Sequence, residues 1–127
     1  MTKYVLPSMI KQKFGCIINI ASMWGQVGAS CEVAYSMSKG AVISFTKALA
    51  KEVGPSGIRV NAVSPGVIDT DMLKIFNEKD RNTLIEDTPL LRLGKPKDIA
   101  NAVYYLANDD SSFITGQIIS VNGGYTI

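Results

Sequence analysis

Ser22, Tyr35 and Lys39 fall in a Ser-x12-Tyr-x3-Lys spacing in a chain that contains no histidine. Tyr35 and Lys39 are four residues apart, so on a helix their side chains share a face, and an ammonium beside a phenol favours the ionised ring. Such a phenol can hand a proton to a carbonyl oxygen as hydride arrives at the carbon, while the Ser22 hydroxyl steadies that oxygen. Ketone reduction is the chemistry these three groups suit. Taken alone, the same residues also fit an ordinary packed ring, a solvated amine and a serine that ends a strand.

The elements that must position them follow from periodicity. Residues 16–21 (Cys16 to Ala21) are short, β-branched and almost wholly apolar, as expected of a parallel strand buried on both faces. Ser22 then lies just past the carboxyl end of a strand, where open parallel sheets bind ligands. Gly25, Gly28, Ala29 and Ser30 read as a small-residue loop. Val33, Ala34, Met37, Ala41, Val42, Phe45, Ala48, Leu49 and Val53 trace one face of a long helix that Gly54-Pro55 stops.

Upstream, Val5, Leu6, Met9 and Ile10 give residues 2–13 a helical stripe ending in basic residues and Gly15. Downstream, residues 58–63 read as a second strand closed by Pro65-Gly66. Residues 69–86 read as one or two short mobile helices forming a lid. Pro96 suits the first turn of a further helix with Ile99, Ala102, Val103 and Leu106 on one face, and residues 117–121 form a third strand before Asn122-Gly123-Gly124. Strand, helix, strand, helices, strand in that order predicts an α/β fold with a parallel sheet of about three strands and right-handed crossovers.

Thirteen basic and eleven acidic residues leave a net charge of +2, spread along the chain. That distribution argues against nucleic acid or an anionic membrane as partner. Cys16 and Cys31 form no CxxC and have no histidine beside them, which excludes a zinc site or disulfide scaffold and fits a reducing cytoplasm. No apolar run reaches the roughly 20 residues of a membrane span, and Pro7 and Ser8 interrupt the only leader-like stretch.

Three segments carry a family resemblance: Ile17-Ile18-Asn19-Ile20-Ala21-Ser22, Tyr35-Ser36-Met37-Ser38-Lys39-Gly40, and Arg59-Val60-Asn61-Ala62-Val63-Ser64-Pro65-Gly66. Together with Ile114-Thr115-Gly116-Gln117 and Val121-Asn122-Gly123-Gly124 they resemble the short-chain dehydrogenase/reductases, in order and along essentially the whole chain. The resemblance implies an NAD(P)-dependent oxidoreductase with a Rossmann-like doubly wound sheet. It implies that Ser22 orients the substrate oxygen, that Tyr35 is the acid/base, and that Lys39 assists Tyr35 and holds the nicotinamide ribose. Pro65, Gly66, Ile68 and Thr70 match the segment lining the nicotinamide and a phosphate. Apart from the resemblance, Pro65-Gly66 is a strand-ending turn, Thr70 an N-cap and Ile68 plain core.

Within the family the chain looks most like bacterial 3-oxoacyl-carrier-protein reductases of fatty-acid synthesis, with NADP favoured over NAD. Met23-Trp24-Gly25 and Gly28-Ala29-Ser30-Cys31-Glu32 also resemble elongation factor P 5-aminopentanone reductases, and sugar or polyol dehydrogenases are a third substrate class. Met23 and Trp24 are candidate substrate contacts. Cys31 and Glu32 could face the same mouth, but a buried thiol and a first-turn acid explain them as well. Asp69 and Asp71 are expected to serve the start of the next helix.

The family's TGxxxGxG turn, its Asn-Ala-Gly strand end and its tetrad asparagine match nothing in residues 1–127. Gly25-Gln26-Val27-Gly28 follows Ser22 and opens no phosphate turn. The expectation is therefore a carboxyl-terminal catalytic half of a larger domain, with the edge of strand 16–21 left open. The contrasting expectation is a truncated, noncatalytic dimerisation module. In this family the Tyr-bearing helix and the helix before the Ser pack against their copies, which would use Val5, Met9, Ala41, Phe45 and Leu49. On either view a homo-oligomer is expected, with a small-molecule or carrier-protein-linked substrate for the enzyme.

Overall fold

A computed structural model describes residues 1–127. Eight regular elements run in the order α1 (Thr2–Gln12), β1 (Gly15–Ile20), α2 (Met23–Val27), α3 (Val33–Val53), β2 (Ile58–Pro65), α4 (Glu78–Glu86), α5 (Pro96–Ala107) and β3 (Ile118–Val121). The strands form one parallel sheet in the order β1-β2-β3, with Gly15 opposite Ile58 and Ser64 opposite Ser120. No helix is long and apolar enough to cross a membrane.

β2 is the centre of the molecule: Ile58, Val60, Asn61, Ala62, Val63 and Ser64 are all buried, so both its faces are covered. On one face Leu49, Ala50 and Val53 of α3 pack on Ile58 and Val60, with Leu6 and Met9 of α1 and Ile17 of β1 against them. Side chains alternate along a strand, so Cys16 points the other way. There its thiol lies 3.4 Å from the carbonyl of Leu106, the fully buried residue of α5. Burial pushes the Cys16 thiol up, opposed in part by Arg59.

Buried polar side chains are satisfied throughout. Asn61, in the middle of β2, donates to Ile114 O at 2.8 Å and accepts from Gln117 N–H at 3.0 Å, which holds the chain entering β3 in place. Asn19 donates to Thr46 at 2.9 Å, tying β1 to α3. At the start of α5, Asp98 accepts from Arg92 and from the Lys95 N–H. The Arg92 hydrogen bond first, and the Lys95 one second, hold that carboxyl down to about 2.

Several expectations need correction. The outer edge of β1 is open, as expected, and most of the strand is half-buried rather than covered on both faces. The apolar face expected along α3 is buried only in its second half. Val33 is 79% and Met37 72% exposed, since the β2 core lies beneath Leu49 to Val53 alone. Leu49 therefore faces the interior and is not a surface residue for association. The expected loop after Ser22 is the short helix α2. α1 continues through Pro7, which forfeits one helical N–H.

Replacing Asn61 with Leu would leave the Gln117 N–H without its acceptor and remove a donor from Ile114 O. Chemical denaturation should show a loss of about 1–3 kcal/mol, the usual range for hydrogen bonds left unmade at partly buried groups.

Candidate active site

Three element ends meet on the carboxyl side of the sheet. Ser22 is the N-cap of α2: its backbone is extended (φ −165°, ψ 153°) and its Oγ accepts from Trp24 N–H at 3.2 Å. That bond uses an oxygen lone pair and leaves the Ser22 O–H available as a donor. The residue itself is buried.

α3 brings Tyr35 and Lys39 to the same place. Lys39 Nζ donates to the carbonyl of Ile20, the last residue of β1, at 3.0 Å, and lies 5.7 Å from the centre of the Tyr35 ring. The ammonium is thus fixed between the strand end and the phenol, within cation–π range. Tyr35 is 38% exposed, so its ring edges the surface of the site.

Gly25 makes this approach possible. A Cβ there would stand 2.7 Å from the carbonyl carbon of Lys39 and 2.9 Å from Gly40 N. α2 therefore rests on the α3 backbone beside Lys39. At the end of β2, Pro65 is paired with Val121, and Gly66 N–H donates to Val121 O at 3.0 Å. Ile68 bridges to Gly94, and Thr70 occupies an N-cap position before the turn Asp71–Ile75 without making a side-chain cap bond. The N-cap explanation of Thr70 thus holds for its backbone but not for its hydroxyl.

Other candidates are sorted by their surroundings. Met23 is 2% exposed and belongs to the packed interior rather than to an open mouth. Trp24 is half-buried and meets Tyr125 of the carboxyl-terminal segment edge-on, with centroids 5.8 Å apart. Burial first, and Asp87 second, push the Tyr125 phenol up. Cys31 is exposed with φ 64°, so the expectation of a buried thiol fails: it sits on the turn leading into α3, outside the core. Glu32 is the residue before α3 and makes no side-chain cap bond. Asp71 pairs with Lys74 in the first turn that follows it, as expected, whereas Asp69 reaches Arg81 of α4 at 2.8 Å.

Sequence reasoning missed Gln26, Ser64 and Ser120. The Gln26 side-chain oxygen accepts from Ser64 at 2.8 Å and from Ser120 at 3.1 Å. No spacing rule links residues 38 and 94 positions apart. The one available signal was a serine among the buried residues of β2.

A family model described as enoyl-(acyl carrier protein) reductase matches residues 1–126. The chain is 51% identical over 125 residues to an uncharacterized oxidoreductase of Bacillus subtilis, covering 98% of this chain and 52% of that protein. It is 48% identical over 120 residues to the 3-oxoacyl-[acyl-carrier-protein] reductase of Chlamydia trachomatis, covering 94% of this chain and 48% of the relative. The crystal structure of a 3-oxoacyl-[acyl-carrier protein] reductase from Brucella melitensis superposes with a TM-score of 0.92 at 37% identity, over 99% of this chain and 48% of that one. The chain spans about half the length of the curated relatives it matches.

Gly25→Ala should destabilise the protein by about 1–3 kcal/mol, because α2 must lift off α3 to admit the methyl group. Gly40→Ala, whose Cβ would meet only Gly25 O at an ordinary 3.5 Å, should be neutral or stabilising in the same denaturation experiment.

Proposed function

The chain belongs to the short-chain dehydrogenase/reductase family, a family of oxidoreductases, and from that premise we propose that it carries the carbonyl-reducing side of a 3-oxoacyl thioester reductase. The observation that carries this reading is the Lys39 ammonium, hydrogen-bonded at the end of β1 two residues before Ser22 and set against the Tyr35 ring. The substrate class is supported by the relatives whose names state one, which are 3-oxoacyl-[acyl-carrier-protein] reductases.

The residues present fit the nicotinamide end of a dinucleotide. Lys39 has spent one of its three N–H donors on Ile20, which leaves two for ribose hydroxyls. Thr70 keeps its hydroxyl out of the local cap, and Pro65, Gly66 and Ile68 lie on the segment that runs from the end of β2 to it. Nothing in residues 1–127 forms a Gly-rich strand-to-helix turn for the pyrophosphate. This supports reading the chain as the carboxyl-terminal part of a longer domain whose dinucleotide-binding part lies against the open edge of β1. NADP is the preferred form in this reading, on the resemblance to carrier-protein reductases.

When bound, the nicotinamide cofactor supplies the hydride that adds to the ketone carbon. Tyr35 gives its phenolic proton to the ketone oxygen, so that the C=O becomes CH–OH. Ser22 donates to the same oxygen and holds it in place as charge develops. Lys39, held by Ile20 O, keeps its positive charge beside the Tyr35 ring as the proton leaves. The exposed Cys31 thiol is compatible with work in a reducing cytoplasm.

The test is reduction of a 3-oxoacyl thioester by the full-length protein, with NADPH or NADH followed by absorbance. Tyr35→Phe should lower kcat by about 10²-fold or more and Ser22→Ala by a comparable factor. Undiminished turnover by Tyr35→Phe, or no reduction with either cofactor, would overturn the reading.

A further inference from the structure

α2 has five residues, far too few for a helix to persist on its own hydrogen bonds. Its fixed position must come from its neighbours, and the polar ones converge on Gln26. Ser64 and Ser120 stand directly opposite each other on β2 and β3. Both hydroxyls donate to the one Gln26 side-chain oxygen, at 2.8 and 3.1 Å. Ser64 is completely buried, so its hydroxyl needs an acceptor, and a carbonyl oxygen with two lone pairs serves both serines at once. Gln26 therefore straddles the β2–β3 pair one register position before its end.

The other end of α2 is Ser22. The Trp24 N–H reaches Ser22 Oγ only while the α2 turn is formed, as do the Gly25 N–H to Ser22 O bond at 2.9 Å and the Gly28 N–H to Trp24 O bond at 3.0 Å. Fraying of the helix would release the Ser22 hydroxyl to other rotamers. We infer that Gln26 is a positioning residue: by anchoring α2 to Ser64 and Ser120, it holds the Ser22 hydroxyl in the orientation from which it donates to the substrate oxygen. The inference deepens the proposed ketone reduction and rests on that reading for its kinetic consequence, while the anchoring itself can be tested without turnover.

Three variants of the full-length protein separate these. Gln26→Leu removes the acceptor, Gln26→Glu retains a side-chain oxygen in the same place, and Ser120→Ala deletes only the exposed arm of the clamp and keeps the fold safe. Hydrogen exchange of the backbone amides of residues 24–28 reports the anchoring. It should accelerate about ten- to thirtyfold in Gln26→Leu, severalfold in Ser120→Ala, and hardly at all in Gln26→Glu. In the thioester assay kcat should fall at least about tenfold in Gln26→Leu with KM little changed, and Gln26→Glu should recover it. Unchanged exchange in both Gln26→Leu and Ser120→Ala would overturn the inference. So would faster exchange with kcat intact. If the unmutated protein reduces no ketone, the proposed reaction fails on its own, and the exchange result alone decides whether the clamp exists.

Discussion

Because Gly25 has no side chain, α2 can lie directly against the backbone of α3 at Lys39, and the rest of the site depends on that contact. Ser22 caps α2 and α3 carries Tyr35 and Lys39, so the separation of the two helices sets the separation of the proposed reacting groups. A single methyl group would occupy space now filled by the Lys39 backbone. The close approach also lets the Lys39 ammonium reach back to Ile20 O, which ties α3 to the strand that delivers Ser22. Helix, strand end and cap are thereby locked to one another by groups that are themselves part of the site.

The rigidity beneath this arrangement comes from β2. Its central position buries polar side chains that must be paired, and each pairing reaches a different element. Asn61 holds the approach to β3, and Ser64 reaches α2 through Gln26. Buried hydrogen bonds of this kind are expensive to leave unmade, so they specify where the surrounding elements sit more sharply than apolar contacts do. The aromatic contact of Trp24 with Tyr125 adds the carboxyl-terminal segment to the same assembly.

Much of this was legible in the sequence, and the exceptions have physical causes. β2, α3 and α5 could be read because β-branched runs, helical periodicity and the Gly-Pro and Lys-Pro boundaries all act locally. The three strands, their parallel order and the Ser22, Tyr35, Lys39 spacing were visible for the same reason. α2 was not, since Gly25 and Gly28 are poor helix formers and the helix is held by a serine cap and by packing on α3. The exposure of Val33 and Met37 was also hidden: periodicity shows which face of a helix is apolar, but not how far along it the core extends. The Gln26–Ser64–Ser120 contact depends on strand register, which joins residues far apart in the chain.

The central claim is that the carboxyl ends of β1 and β2 hold a nicotinamide beside Ser22, Tyr35 and Lys39. It is tested most directly by titrating NADPH, and then NADH, into isotopically labelled full-length protein and mapping the backbone amide shifts by NMR. The account predicts saturable changes grouped at Ser22, Lys39, Gly66, Ile68 and Thr70, with β3 and the outer face of α5 undisturbed. Saturable binding that leaves those five residues unmoved, or shifts gathered instead around Arg92 and Asp98, would contradict it.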